Sequence, residues 1–129
     1  MRNDIGNNEI VRISFGFALA VIRYTQQLES DRKYAIAKQL FRSATSIGAC
    51  VREAQNAESL ADFIHKMKMA AKEADESTYW LELCHQMAPS ETTNELIKTC
   101  MSIIRILSKI ISSSKAKLNN RITSGSQSK

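Results

Sequence analysis

Apolar residues recur along this chain every three to four positions, in four stretches separated by short polar breaks. In the first, Ile10, Ile13, Phe17, Val21, Tyr24 and Leu28 fall on one side of a helix with 3.6 residues per turn. Val11, Phe15, Ala18 and Ile22 form a second strip beside it. In the second, Ala37, Leu40, Phe41, Ala44, Ile47, Gly48, Val51 and Ala54 share a face, and Gly48 allows a close helix approach. In the third, the stripe is Leu60, Phe63, Ile64, Met67, Ala71, Ala74, Thr78 and Leu81. In the fourth it is Leu96, Cys100, Ile103, Ile104, Leu107, Ile110 and Ile111. These patterns predict helices over about 8–29, 32–56, 59–87 and 93–115. No segment alternates with period two, so no sheet is expected.

Punctuation agrees with the pattern. Ser30 or Asp31 reads as the N-cap of the second helix. Ser59 with Asp62 resembles a capping box for the third, and Thr92 with Glu95 forms one for the fourth. The single proline, Pro89, stops the third helix or follows its end. From Asn119 the tail NNRITSGSQSK has turn-formers and little to bury, which predicts a disordered basic tail over 119–129. The remaining residues, 1–118, form one domain, long enough to bury a core without staples. Four amphipathic helices on short connections define an all-α, antiparallel up-down four-helix bundle.

The third segment carries a second apolar side. Met69, Trp80, Leu83 and Met87 project roughly opposite its main stripe, interleaved with Asp62, Glu73 and Glu76. A helix in a lone bundle buries one face, so this side has two readings. Either the helix is wide-faced and covered by the tail, or Met69, Glu73, Glu76, Trp80, Leu83 and Met87 form an oligomer interface.

Charge is unevenly distributed around the net +5. Residues 1–52 carry eight basic and four acidic side chains, 53–95 three basic and nine acidic, and 96–129 seven basic and none acidic. Lys38, Arg42 and Arg52 fall within a narrow arc of the second helix, away from its apolar stripe. Lys98, Arg105 and Lys109 line one polar face of the fourth, with Ser102 and Ser112 between them, and Lys115, Lys117 and Arg121 continue the charge. Small residues between long cations suit a phosphate backbone, and an ordinary solvated helix face has the same pattern. No aromatic interleaves these stripes, so stacking on single-stranded bases is not indicated.

Enzyme chemistry finds little purchase. A di-metal bundle needs Glu-x-x-His pairs from two helices. Here Glu82 with His85 and Asp62 with His65 lie on one helix, about 30 Å apart. Cys50, Cys84 and Cys100 show no CxxC spacing, and none has a histidine placed to serve as base. Neither GxxxxGK[ST] nor GxGxxG occurs. No catalytic residue, metal or cofactor is expected. The start MRNDIGNNEI is polar, no apolar run approaches the ~20 residues that span a bilayer, and three cysteines fit reduced thiols. The expectation is a cytoplasmic protein without membrane contact.

Residues 39–84, QLFRSATSIGACVREAQNAESLADFIHKMKMAAKEADESTYWLELC, resemble a family first met as open reading frames within intervening sequences of 23S ribosomal RNA. The matching positions are Gln39, Leu40, Arg42, Ser43, Ser46, Ile47, Glu53, Phe63, Glu73, Glu76, Trp80, Leu81, Glu82 and Leu83. Cys50 stands where relatives often carry Asn, and Glu53-Ala54 where they carry Glu-Gly. The resemblance implies a closed four-helix bundle assembled into a ring-shaped homo-oligomer, typically a homopentamer. It also implies kinship with the accessory protein of diversity-generating retroelements, which binds nucleic acid and the reverse transcriptase through a basic surface. Two functions follow as expectations. One is an oligomeric module that binds RNA or an RNA–DNA hybrid through Lys38, Arg42, Arg52, Lys98, Arg105 and Lys109. The other is a ring-shaped scaffold for a protein partner such as a reverse transcriptase, without direct nucleic-acid contact. Arg42 and Arg52 meet either phosphates or Glu73 and Glu76 of the same or a neighbouring subunit, and in the second case they are structural and unavailable to nucleic acid.

Overall fold

The structure, a computed structural model, describes residues 5–127. Four helices follow in chain order: α1 (Ile5–Ser30), α2 (Tyr34–Ala54), α3 (Leu60–Met87) and α4 (Glu91–Gln127). No strand occurs among the described residues. Each helix packs on the next, α4 closes on α1, and the diagonal pairs do not meet. Cross-helix partners run in opposite order along each pair. Arg42 meets Glu76 while Glu53 meets Lys66, and Thr78 meets Cys100 while His85 meets Thr93. The result is the all-α up-down-up-down bundle that the periodicity predicts.

The core is the sum of the four stripes. Ile10, Phe17, Val21, Tyr24 and Leu28 of α1 meet Leu40, Ile47 and Val51 of α2. Phe63, Met67 and Leu81 of α3 and Leu96, Ile103 and Leu107 of α4 complete it. Of the expected core positions, Phe41 is exposed, and Ile13, Gly48, Ala71, Thr78, Ile104, Ile110 and Ile111 are half-buried rather than buried. Phe41 is 44% exposed, because it sits at the α1 edge of its stripe. Gly48 is only half-buried, and an added Cβ would lie 3.6 Å from the Ser14 carbonyl oxygen. That is ordinary contact, so the helix approach does not require glycine there.

The helix ends locate the elements. At the α1–α2 corner, Lys33 N–H donates to the Leu28 carbonyl at 2.8 Å and Arg32 N–H to Glu29 at 2.9 Å. Arg32 is left-handed, with φ 62°. This is a Schellman motif with arginine where glycine is usual. It extends α1 through Ser30, so neither Ser30 nor Asp31 caps α2. Lys33 takes that place without a side-chain cap. The Ser59 cap of α3 is as expected: its Oγ accepts from Asp62 N–H at 3.0 Å, and the Asp62 carboxylate accepts from Glu58 N–H.

α4 begins two residues earlier than Thr93. Ser90 Oγ accepts from Thr93 N–H at 3.1 Å, and Thr93 Oγ1 accepts from Ser90 N–H at 3.3 Å. The reciprocal box is therefore Ser90–Thr93 rather than Thr92–Glu95. At its far end α4 continues to Gln127, so residues 119–127 are helical where the composition predicts a disordered tail. Residues 91–124 contain neither Gly nor Pro, and Leu118 packs against the core, so nothing stops the helix at 118. Residues 128 and 129 of the expected tail lie outside the described residues.

Candidate nucleic-acid interface

The arc of Lys38, Arg42 and Arg52 on α2 divides between two neighbours. Arg42 turns to α3, where its Nη1 lies 3.3 Å from Glu73 Oε1 and its Nη2 donates to Glu76 Oε2. Trp80 Nε1–H donates to that same Glu76 oxygen at 3.0 Å. The Trp80 N–H first, and then the Arg42 hydrogen bond, hold the Glu76 carboxyl below the usual carboxylate range. The Glu76 hydrogen bond in turn raises the Arg42 guanidinium. Below this fork, Ser77 Oγ and Ser43 Oγ meet at 2.9 Å between the helices. Arg42 thus pairs with carboxylates of its own chain, against its assignment to a nucleic-acid face.

Lys38 and Arg52 lie on the other side, along the groove between α1 and α2. Lys38 lines it beside Ile22, Tyr34 and Phe41. Arg52 lines it beside Val11, Ser14 and Thr45, with its Cζ 6.0 Å from the centroid of the Phe15 ring. The stripes of α2 considered alone contain no aromatic between the cations. The fold supplies them from α1 and from the stripe's edge.

On α4, Lys98, Arg105 and Lys109 are exposed on the side away from Leu96, Cys100, Ile103 and Leu107. Lys98 lies 3.8 Å from Glu95, with both side chains largely in solvent, a pairing of little energetic weight. Arg105 Nη2 donates to Ser102 Oγ at 3.0 Å. Among the described residues no carboxylate pairs with Arg105, Lys109, Lys115, Lys117 or Arg121.

The second side of α3 divides between solvent and core. Met69, Leu83 and Met87 are exposed, and Trp80 is half-buried against the core. Glu73 and Glu76 lie in the same strip, engaged by Arg42. Sequence reasoning missed Tyr79, which is exposed and packs edge-on to Trp80 with ring centroids 5.1 Å apart.

The thiols are buried packing groups. Burial pushes the Cys100 thiol up to about 11, and its Sγ donates to the Ala74 carbonyl at 3.3 Å. Burial also raises Cys50 and Cys84, the latter beside the buried Tyr24 hydroxyl. His85 is occupied by Thr93, and His65 is exposed. Among the described residues no three His, Cys, Asp or Glu side chains converge to hold a metal ion. Among the described residues no helix is long and apolar enough to cross a membrane.

A closed all-α four-helix bundle with basic outer ridges is the class that this geometry defines. The family model described as 23S rRNA-intervening sequence protein matches residues 6–109, and the chain belongs to that family. A crystal structure of a protein of unknown function from the S23 ribosomal protein family of Bacteroides thetaiotaomicron is similar to it. The two are 36% identical with a TM-score of 0.80, over 84% of this chain and 99% of the other. No curated protein matches.

Proposed function

We propose that this chain is a non-enzymatic, homo-oligomeric module that binds RNA or an RNA–DNA hybrid through its phosphates, nearly independent of sequence. The carrying observation is the outer ridge of α4. Lys98, Arg105 and Lys109 line it, Lys115, Lys117 and Arg121 follow, and no acidic residue occurs after Glu95. Such a ridge releases counterions when it meets a phosphate backbone, so affinity falls with salt. The family's description by a 23S rRNA intervening sequence supports RNA as the class of ligand.

Fluorescence anisotropy with a short RNA duplex and an RNA–DNA hybrid tests the reading. Log K is expected to fall linearly with log salt. Replacing Lys98, Arg105 and Lys109 by Gln together is expected to reduce the slope by roughly 2–3. Absence of binding to either ligand at about 50 mM salt refutes the proposal.

A second reading rests on the exposed Met69, Leu83 and Met87 strip of α3. In it the bundle is a ring-shaped scaffold, a homopentamer by resemblance, for a protein partner such as a reverse transcriptase. Methionines beside a tryptophan suit a protein interface.

A further inference from the structure

The α1–α2 face gathers aromatic rings and cations that are far apart in the sequence. Phe15 is 55% exposed, Tyr34 61% and Phe41 44%. Along the groove between the helices, Phe15 stands beside Arg52, and Phe41 and Tyr34 stand beside Lys38. Arg12 and Arg23 are exposed on α1, in helical register with Phe15 and Leu19. Among the described residues, Glu29 is the one carboxylate lining the groove.

We infer that this groove is a binding track for single-stranded RNA, in which bases stack on Phe15, Phe41 and Tyr34 and phosphates meet Arg52 and Lys38. This rests on the nucleic-acid reading of the α4 ridge and adds the form of the strand and the place of its bases. The Arg52 guanidinium lies over the Phe15 ring, with Cζ 6.0 Å from its centroid. A base can therefore stack on the guanidinium plane or on the ring's open face while its phosphate meets the same cation. Tyr34 and Phe41 are seven residues apart on one helix face, about 10 Å at 1.5 Å per residue. Ile22, which lines the groove with Phe41, follows Phe15 by the same seven residues. The three rings therefore mark stations about 10 Å apart, some three phosphates of a stacked strand. The whole track accommodates about six nucleotides, within the range of known single-strand sites. Charge favours this occupant: the lining carries Lys38 and Arg52 against Glu29, with Arg12 and Arg23 exposed nearby on α1, and a polyanion complements it.

The test uses the full chain, a twelve-nucleotide oligouridylate and an RNA duplex of equal length. Phe15→Leu and Phe41→Leu keep apolar bulk and remove the aromatic face. Each is expected to weaken oligouridylate binding roughly 5- to 100-fold and to leave duplex affinity unchanged. Oligouridylate affinity equal to wild type in both variants overturns the track, while duplex binding by the α4 ridge stands. Failure of wild type to bind either ligand overturns both. Sedimentation supplies the last arm. If Phe15→Asp converts an oligomer to monomers, a second copy covers this face and the inference falls; an unchanged sedimentation coefficient with lost oligouridylate binding supports it.

Discussion

At Glu76 one carboxylate oxygen receives both the Trp80 N–H and the Arg42 guanidinium, which ties α2 to α3 at the surface. Both donors favour the ionised form, so its pKa in the fold lies below that of the unfolded chain. The resulting stability is full above the unfolded value of about 4.3 and is lost as pH falls through the lower folded value. Glu76→Gln is therefore expected to lower Tm slightly at pH 7. The gap to wild type should close on acidification below about pH 4, as followed by circular dichroism. Inside the same seam, Ser43 and Ser77 are fully buried and small. Ser77→Val overpacks this contact and is expected to cost about 1–3 kcal/mol in urea unfolding.

The helix ends carry the next set of outcomes. Arg32 holds a left-handed conformation that glycine adopts without steric cost. Arg32→Gly is expected to stabilise by about 0.5–1 kcal/mol, the relief at the turn exceeding the entropy of a freer unfolded chain. Ser90→Ala removes one half of the α4 capping box and is expected to cost about 1 kcal/mol. Calorimetric Tm values check both. These ends are also where the sequence was least legible. The apolar stripes name the helices and most of the core, because burial follows 3.6-residue periodicity directly. Ser90–Thr93 is hidden behind the more familiar Thr92–Glu95 pattern. The α4 extension is hidden because polar composition alone does not distinguish a coil from a helix without breakers. Similarly, Arg42 and Arg52 look equivalent on a helical wheel. Only the placement of α1 and α3 on either side of α2 sends one to carboxylates and the other to an aromatic ring. Packing between helices carries that information, and no single stripe does.

For the molecule as a whole, the outer faces differ in chemistry. α4 is basic, the second side of α3 is apolar with paired carboxylates, and the α1–α2 groove is aromatic and basic. If the α3 strip joins subunits, Leu83→Asp with Met87→Asp is expected to shift the sedimenting species to monomer at micromolar concentration. The Tm of the variant should also lose any dependence on protein concentration, because assembly stabilises the folded subunit by mass action.

The four seams between helices are unequal. Those of α2 with its neighbours and of α3 with α4 are dense, whereas that of α1 with α4, the first helix with the last, is the sparsest. It also joins the parts of the chain most distant in sequence, so closing it costs the most loop entropy for the fewest contacts. This sets an order of events during folding. The α2–α3 hairpin, with its serine contact and Arg42 fork, is placed to form early, and the α1–α4 seam to close last. Core substitutions in the hairpin should then slow refolding, whereas those on the α1–α4 seam should mainly hasten unfolding.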